Sequence, residues 1–349
     1  MTDHGGDWAG FTETYGAPPL DFSANVSPLG VPEAVRQAAE AALAEAERYP
    51  DPLCRALRER LAAYHHVPAD WILCGNGAAD LVYRLAAARR NGKALVTAPT
   101  FSEYENALTL WDCSVSRFPL REENGFSITE DILTAIVPGL DLLFLCEPNN
   151  PTGRTTDRAL LERILEHCAT CGTLLAVDEC FCDLLDAPAE HTLLKCLQRY
   201  ENLLILRAFT KSRGLAGMRL GYALSQDAAL LEAMGRGGPP WAVSGPAQAA
   251  GMAALEDESG LETLRRLIRR ERPRLSAGLT ALGCRVCPGE ANYLLFFCGA
   301  PGLPQHLAER GVLIRDCSNY HGLGPGWYRS AVRTEAENDL FLKIMEEVL

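Results

Sequence analysis

A few residues placed just after apolar runs could do chemistry together. Lys211, in AFTKSRGLAGMRLGY, follows the apolar stretch Leu203–Leu206. A lysine in an apolar pocket holds its proton weakly, because burial disfavours the ammonium, and the free amine attacks aldehydes. Asp178 closes the apolar stretch Leu174–Val177. A buried carboxylate is costly unless paired; a protonated pyridine nitrogen would serve as the partner, and so would a helix cap or a salt bridge. Asn150, in EPNNPTG, can donate its amide to a phenolate or a carboxylate, or form a structural Asx-turn. Gly75-Asn76-Gly77-Ala78 opens a helical stretch. Its glycines permit close approach and its first N–H groups favour a phosphate, although a plain strand-to-helix turn has the same composition. Arg219, eight residues after Lys211, can grip a phosphate with two N–H groups. Each signal is weak alone. Their order, each following a strand, argues for a phosphate-bearing aldehyde.

The elements that must position these residues alternate along the middle of the chain. Ile72–Cys74, Ala94–Thr97, Leu142–Cys146, Leu174–Val177, Leu203–Leu206 and Leu220–Ala223 read as strands, with helices such as Ala78–Arg90 and Thr156–Cys171 between them. That alternation predicts an α/β fold with a mostly parallel central sheet covered by helices on both faces. Ligands of such sheets collect at the carboxyl ends of the strands. The flanks differ. Pro32–Arg48 reads as a helix after an irregular N-terminal arm, and Leu261–Leu282 as another with an interruption at Pro273. The arginines of the second helix, Arg265 to Arg274, form a solvated face opposite Leu264, Leu267 and Ile268. Tyr293–Phe297 and Val312–Arg315 read as strands of a smaller C-terminal α/β domain. The expected division is 1–45 as an N-terminal arm and helix packing with the small domain, 46–250 as the large domain and 251–349 as the small one.

Composition narrows the function classes. With 33 Lys+Arg against 45 Asp+Glu, the surface is not one for nucleic acid, and an anionic ligand must be caught by a local cluster. No apolar run reaches membrane-spanning length, and the start MTDHGGDW lacks a signal-peptide pattern. A cytoplasmic protein without membrane contact is expected. The thirteen cysteines include the pairs Cys168/Cys171 and Cys284/Cys287, which could be drawn as a zinc site. Cys168 shares an apolar helical face with Leu161, Ile164 and Leu165, so core packing is the reading adopted and no metal is expected.

On GNG, NNPTG, Asp178-Glu179, Thr210-Lys211 and Arg219, the chain resembles the fold-type-I pyridoxal-phosphate (PLP) enzymes of aminotransferase class I/II, across nearly its whole length. The resemblance implies that Lys211 holds the cofactor as a Schiff base, that Asp178 pairs with the pyridine nitrogen, and that Asn150 bonds the ring hydroxyl oxygen. It implies that Arg219 and the amides of Gly77 and Ala78 hold the phosphate, that Phe101 in PTFSEY stacks on the ring, and that Arg329 in WYRSAVR clamps a substrate carboxylate. Tyr49 in RYPD matches a tyrosine that reaches the phosphate from a neighbouring subunit, which implies a homodimer with shared active sites. Two departures stand out: Phe181 replaces a tyrosine common in relatives, and Ala208 replaces a serine, leaving Thr210 or Ser212 to compensate at the phosphate.

Within that family the finer resemblance is to the threonine-phosphate decarboxylases of cobalamin biosynthesis, cousins of the histidinol-phosphate aminotransferases. It rests on His4-Gly5-Gly6, the run DFSANVSPLG at Asp21–Gly30, FSEY, Phe181 and IRDCSNY at Ile314–Tyr320. A phosphorylated amino acid carries two anionic groups, and the expected clamps are Arg329 for the carboxylate and Arg315 for the phosphate, helped by His4 and Asn25; Arg333 is a third candidate. The expected reaction is loss of CO2 from O-phospho-L-threonine to give 1-amino-2-propanol phosphate. The alternatives are an aminotransferase acting on histidinol phosphate or an aromatic amino acid, and a non-catalytic binding protein on the same fold.

Overall fold

The computed structural model describes residues 4–349. Among them, seven strands form a central sheet in the order Ile72–Gly75, Gly221–Leu224, Leu203–Ala208, Leu174–Asp178, Leu142–Cys146, Lys93–Ala98 and Ser114–Pro119. Gly221–Leu224 runs antiparallel to both neighbours, and every other pairing is parallel. The three strands Leu142–Cys146, Leu174–Asp178 and Leu203–Ala208 are buried at every residue. They read as apolar runs, interrupted only by Arg207 and ended by Asp178, because helices cover both faces. Leu143, Leu175 and Ile205 face the cluster containing Leu161, Ile164 and Leu165 of helix Arg158–Cys171. Phe144, Ala176 and Leu204 face the opposite cluster, with Leu81 and Leu85 of helix Gly77–Ala88 and Tyr104 of helix Glu103–Leu110. The edge strand Ser114–Pro119 escapes a sequence reading because its SVSRFP is mostly exposed and half polar.

A second sheet of four antiparallel strands runs Arg315–Asp316, Trp327–Ala331, Tyr293–Phe297 and Arg285–Val286. Leu275 and Leu279 from helix Glu258–Ala281, and Phe341 and Met345 from helix Glu335–Val348, pack with its Leu294 and Phe296. The run expected as one strand at Val312–Arg315 divides at Ile314. Val312–Leu313 pairs with Leu20–Asp21, and Arg315–Asp316 pairs with Trp327–Ala331, so the two halves serve different sheets. The expected interruption at Pro273 does not occur either. Helix Glu258–Ala281 passes through it, burying Leu261, Leu264 and Ile268 before the proline and Leu275 and Leu279 after it. That packing outweighs a proline cost of about 3 kcal/mol.

The N-terminal arm is shared between a separate two-stranded sheet and the helices that cover the central one. Leu20–Asp21 joins Val312–Leu313. Helix Glu33–Ala42, however, packs on helix Gly245–Ala254, with Val35 and Ala39 in the cluster that holds Ala247 and Ala250. That placement departs from the expected seat on the small C-terminal sheet; both helices are rich in alanine, so their backbones can approach closely. The arginine face of Glu258–Ala281 is ion-paired: Arg269 to Asp186 at 3.0 Å and Arg274 to Glu271 at 3.1 Å. Among the described residues, no helix is long and apolar enough to cross a membrane.

Candidate active site

Strand register brings the loops of the sequence reading to one edge. Cys146 lies opposite Asp178, Asp178 opposite Leu206, Ala208 opposite Gly221, and Gly221 opposite Gly75. A cavity of about 520 Å³ opens there. The central sheet contributes Asn150, Asp178, Thr210 and Lys211 to its wall; the four-stranded sheet contributes Arg315 and Arg329; the N-terminal arm contributes His4 and Asn25. Ala78, Phe101 and Arg219 line it as well.

Lys211 sits in the short helix Phe209–Ser212 at the end of its strand, half-buried, with Nζ 5.7 Å from the centre of the Phe181 ring. Burial, seconded by the positive charges of Arg329 and Arg219 and opposed by Cys180 and Asp178, lowers its pKa to about 8. Asp178 is buried. Its Oδ2 accepts from the Tyr104 hydroxyl at 2.6 Å, and its Oδ1 accepts from the Cys180 N–H at 3.0 Å. Burial first, then the Asp178 charge, holds the Tyr104 proton well above the usual phenol range. The hydroxyl is therefore a fixed donor, and Asp178 accepts on both oxygens.

The phosphate corner depends on missing side chains. Gly77, at φ +78°, opens helix Gly77–Ala88, and a Cβ there would stand 2.8 Å from Nη2 of Arg219. A Cβ on Gly221 would stand 2.5 Å from the Ala78 nitrogen. No side chain caps the helix start; the Asn76 N–H is taken by Asp80 Oδ2 at 2.8 Å, one residue before Gly77 and Ala78. Arg219 is exposed beside this turn and donates weakly to the Ala216 carbonyl at 3.3 Å. Thr210 lines the cavity and Ser212 does not.

The opposite wall is cationic. Arg329 donates through Nη1 to Asn150 Oδ1 and through Nη2 to the Ser23 carbonyl at 2.7 Å, while its buried Nε has no hydrogen-bond partner. Asn150 thus has its oxygen engaged, and its amide is left to donate. Arg315 lies directly across the strand pair from Arg329, bonded to Asn319 Oδ1 at 2.9 Å and 5.4 Å from the centre of the Tyr320 ring. Asn25 adds a buried Oδ1 without a partner. His4 places Nε2 2.9 Å from Glu103 Oε1, with its ring 6.0 Å from that of Phe101.

Three named residues lie elsewhere. Tyr49 is 78% exposed, stacked on Trp241 with ring centres 4.4 Å apart, outside the cavity of its own chain. Arg333 pairs with Glu337 at 2.6 Å and donates to the Asp21 carbonyl at 3.0 Å, so it ties down the helix that follows it. Glu179, beside Asp178, is spent on buried Arg207 and on Thr192 at 2.7 Å. Among the described residues, no group of three or more His, Cys, Asp or Glu is arranged to hold a metal. The sequence reading passed over Tyr104, Glu103, Ser23 and Tyr320. All four lay in quoted runs, Glu103 and Tyr104 in FSEY, Ser23 in DFSANVSPLG and Tyr320 in IRDCSNY, but Ser23 acts through its backbone carbonyl and Tyr320 through its ring face, roles that residue type does not announce.

A model of the family described as aminotransferase class I and II matches residues 17–344. The chain belongs to that family. It is 38% identical to the threonine-phosphate decarboxylase of Salmonella typhimurium over 99% of this chain and 96% of that one. It is 37% identical to the histidinol-phosphate aminotransferase of Symbiobacterium thermophilum, over 95% and 90%. The solved histidinol-phosphate aminotransferase of Clostridium acetobutylicum superposes with a TM-score of 0.88 at 26% identity, covering 94% of this chain and 98% of that one. The cofactor is pyridoxal 5′-phosphate, and the residues present fit it: a glycine cradle under an arginine, a buried acceptor carboxylate, and a lysine with a depressed pKa.

Proposed function

We propose that this protein removes CO2 from O-phospho-L-threonine, giving 1-amino-2-propanol phosphate for a corrinoid cofactor. The observation that carries the reading is the juxtaposition of Arg315 and Arg329 in one cavity with Lys211, in a protein whose net charge is −12. Two adjacent guanidiniums suit a small substrate with a carboxylate and a phosphate. The N-terminal arm supports the phosphorylated amino acid, because Asn25 and His4 stand on the same side.

In this reading Lys211 carries the cofactor aldehyde, Arg219 with the amides of Gly77 and Ala78 holds its phosphate, and Phe101 covers its ring. Asp178, oriented by Tyr104, holds a proton at the ring nitrogen, and Asn150 donates to the ring oxygen. Bound pyridoxal phosphate supplies a conjugated cationic ring that accepts the electron pair of a broken bond at the amine-bearing carbon. The protein's part is to choose the bond. Arg329, fixed by Asn150 and the Ser23 carbonyl, orients the substrate carboxylate. Arg315, with Asn25 and His4, holds the phosphate end, and two anchored ends leave the substrate little freedom to turn. Lys211, released as an amine, is placed to carry the proton that replaces CO2. Tyr49, projecting from the surface, would complete the phosphate site of a second copy in a homodimer.

The second reading, transamination of histidinol phosphate, draws on the same cofactor wall and on relatives of nearly equal identity. The test is to incubate the purified enzyme with phosphothreonine, or with histidinol phosphate plus 2-oxoglutarate, and to measure CO2 and glutamate. CO2 from phosphothreonine is expected; glutamate without CO2 would replace the first reading with the second.

A further inference from the structure

Glu103 begins helix Glu103–Leu110 and lines the cavity, yet it is an acid facing a site built for anions. Its oxygens are occupied. Oε1 meets His4 Nε2 at 2.9 Å and accepts from the Asn106 amide at 3.0 Å; Oε2 accepts from the Tyr83 hydroxyl at 2.8 Å. The Tyr83 hydroxyl keeps its proton, its pKa pushed up to about 12 by burial and by this carboxylate, so it remains a donor. Glu103 is thereby held by its own helix and by Tyr83 of the neighbouring helix, and it reaches out to the N-terminal arm.

On its far side the same short segment is held by Ser23. The Gly6 N–H donates to Ser23 Oγ at 2.8 Å, and Gly5 lies so close that a Cβ would stand 2.4 Å from the Ser23 carbonyl oxygen. That carbonyl accepts from Arg329 Nη2. Ser23 is itself fixed by Asp21, whose Oδ1 accepts from the Ser23 hydroxyl at 2.6 Å and N–H at 2.7 Å. The segment His4–Gly6 therefore spans the cavity from the helix that begins at Glu103 to the carbonyl that orients Arg329. Exposed chain near a terminus is ordinarily loose, so a bond at each end is what makes it part of the wall.

We propose that Glu103 is a positioning residue that clasps the segment His4–Gly6 across the cavity and so fixes the space left for the phosphate end of the substrate. The proposal deepens the decarboxylase reading and rests on it for the substrate alone. With the clasp closed, the wall next to Phe101 is occupied by the His4 ring, which favours a compact phosphorylated amino acid over one with a bulky side chain. With the clasp open, the segment loses its tie to helix Glu103–Leu110 and the pocket gains room.

The test uses the holoenzyme and two independent readouts. Hydrogen exchange at the Gly6 amide reports the segment without reference to any substrate. In Glu103→Gln and Glu103→Ala it should speed up about tenfold or more, since roughly 1.4 kcal/mol of lost bonding is a factor of ten. In Tyr83→Phe, which leaves the Oε1–His4 contact, it should change far less. Unchanged exchange in Glu103→Ala would overturn the clasp. For phosphothreonine, Glu103→Ala should raise KM about tenfold while kcat changes less than threefold, and the ratio of histidinol-phosphate to phosphothreonine binding should rise. Removing residues 1–6, His4 included, should raise KM at least as much, with no further effect of Glu103→Ala in that background. An additional loss there would mean that Glu103 acts otherwise than through the segment. Faster Gly6 exchange in an enzyme that releases no CO2 from phosphothreonine would leave the clasp standing and sink the decarboxylase reading.

Discussion

On the central-sheet wall of the cavity the buried acid is already answered: both oxygens of Asp178 accept hydrogen bonds. On the wall formed by the four-stranded sheet and the N-terminal arm, two buried polar atoms are not. Arg329 has an orphaned Nε and Asn25 an orphaned Oδ1. A preorganised wall suits a group that stays bound through every turnover. A wall with unmet hydrogen bonds suits a ligand that arrives, is gripped and leaves. In the proposed reading the first wall holds the cofactor and the second selects the reaction.

The sharpest way to break this contrast is to remove the residue through which both walls act. Lys211→Ala should lower turnover by at least about 10²–10⁴-fold, the range for loss of a positioned proton carrier. Borohydride reduction of the wild-type holoenzyme should leave a cofactor mass tag on the peptide containing Lys211, and none in the variant. A tag on another lysine would overturn the assignment. Next in size are the arginines. Arg329→Met strands Asn150 Oδ1 and the Ser23 carbonyl as well as the substrate, so kcat/KM should fall by about 2–5 kcal/mol, roughly 30- to 4000-fold. Arg315→Met should cost less, about 10- to 100-fold, and only with phosphorylated substrates. Equal losses with a non-phosphorylated amino acid would show that Arg315 does not hold the phosphate.

These two walls were not equally legible in the sequence. The strands Leu142–Cys146, Leu174–Asp178 and Leu203–Ala208 are almost wholly apolar, so they and the residues at their carboxyl ends could be read directly, although their order in the sheet could not. Arg315 and Arg329 drew attention by type, but their opposition could not be foreseen. It depends on strand Trp327–Ala331, which the sequence reading did not identify, and on the break at Ile314 that sends Arg315 to a different sheet from Val312. The support of Arg329 by a backbone carbonyl at Ser23 leaves no trace in side-chain types. Glu103 and Tyr104 were visible as letters of FSEY, but one serves the arm and the other the buried acid, a division that only packing decides.

A smaller effect tests how the charged wall tunes the apolar one. With the Lys211 pKa near 8, roughly a tenth of the amine is free at pH 7 in the apoprotein. The rate of cofactor uptake, followed by absorbance, should climb about tenfold per pH unit below 8 and level off above it. Arg329 is the second-largest cause of the depressed value after burial. In Arg329→Met the levelling point should therefore move to higher pH. If it stays in place, burial alone sets the lysine and the two walls are electrostatically independent.

The smallest effect concerns the loop that carries Asn150. Glu147 is fully buried; its Oε1 accepts from the Thr156 N–H at 2.8 Å and its Oε2 has no partner. Burial chiefly, reinforced by Glu179 and Glu290 and opposed by Thr156, raises its pKa from 4.5 to about 8. Between those values the unfolded chain releases the proton and the folded one keeps it, so the group's contribution to stability falls as pH rises through that window and is constant outside it. Glu147→Gln keeps the shape and removes the titration. Its melting temperature relative to wild type should therefore rise steadily from pH 4.5 to 8 and then level. A difference that does not vary with pH would mean that Glu147 is ionised in the folded protein, with its charge answered from outside this loop.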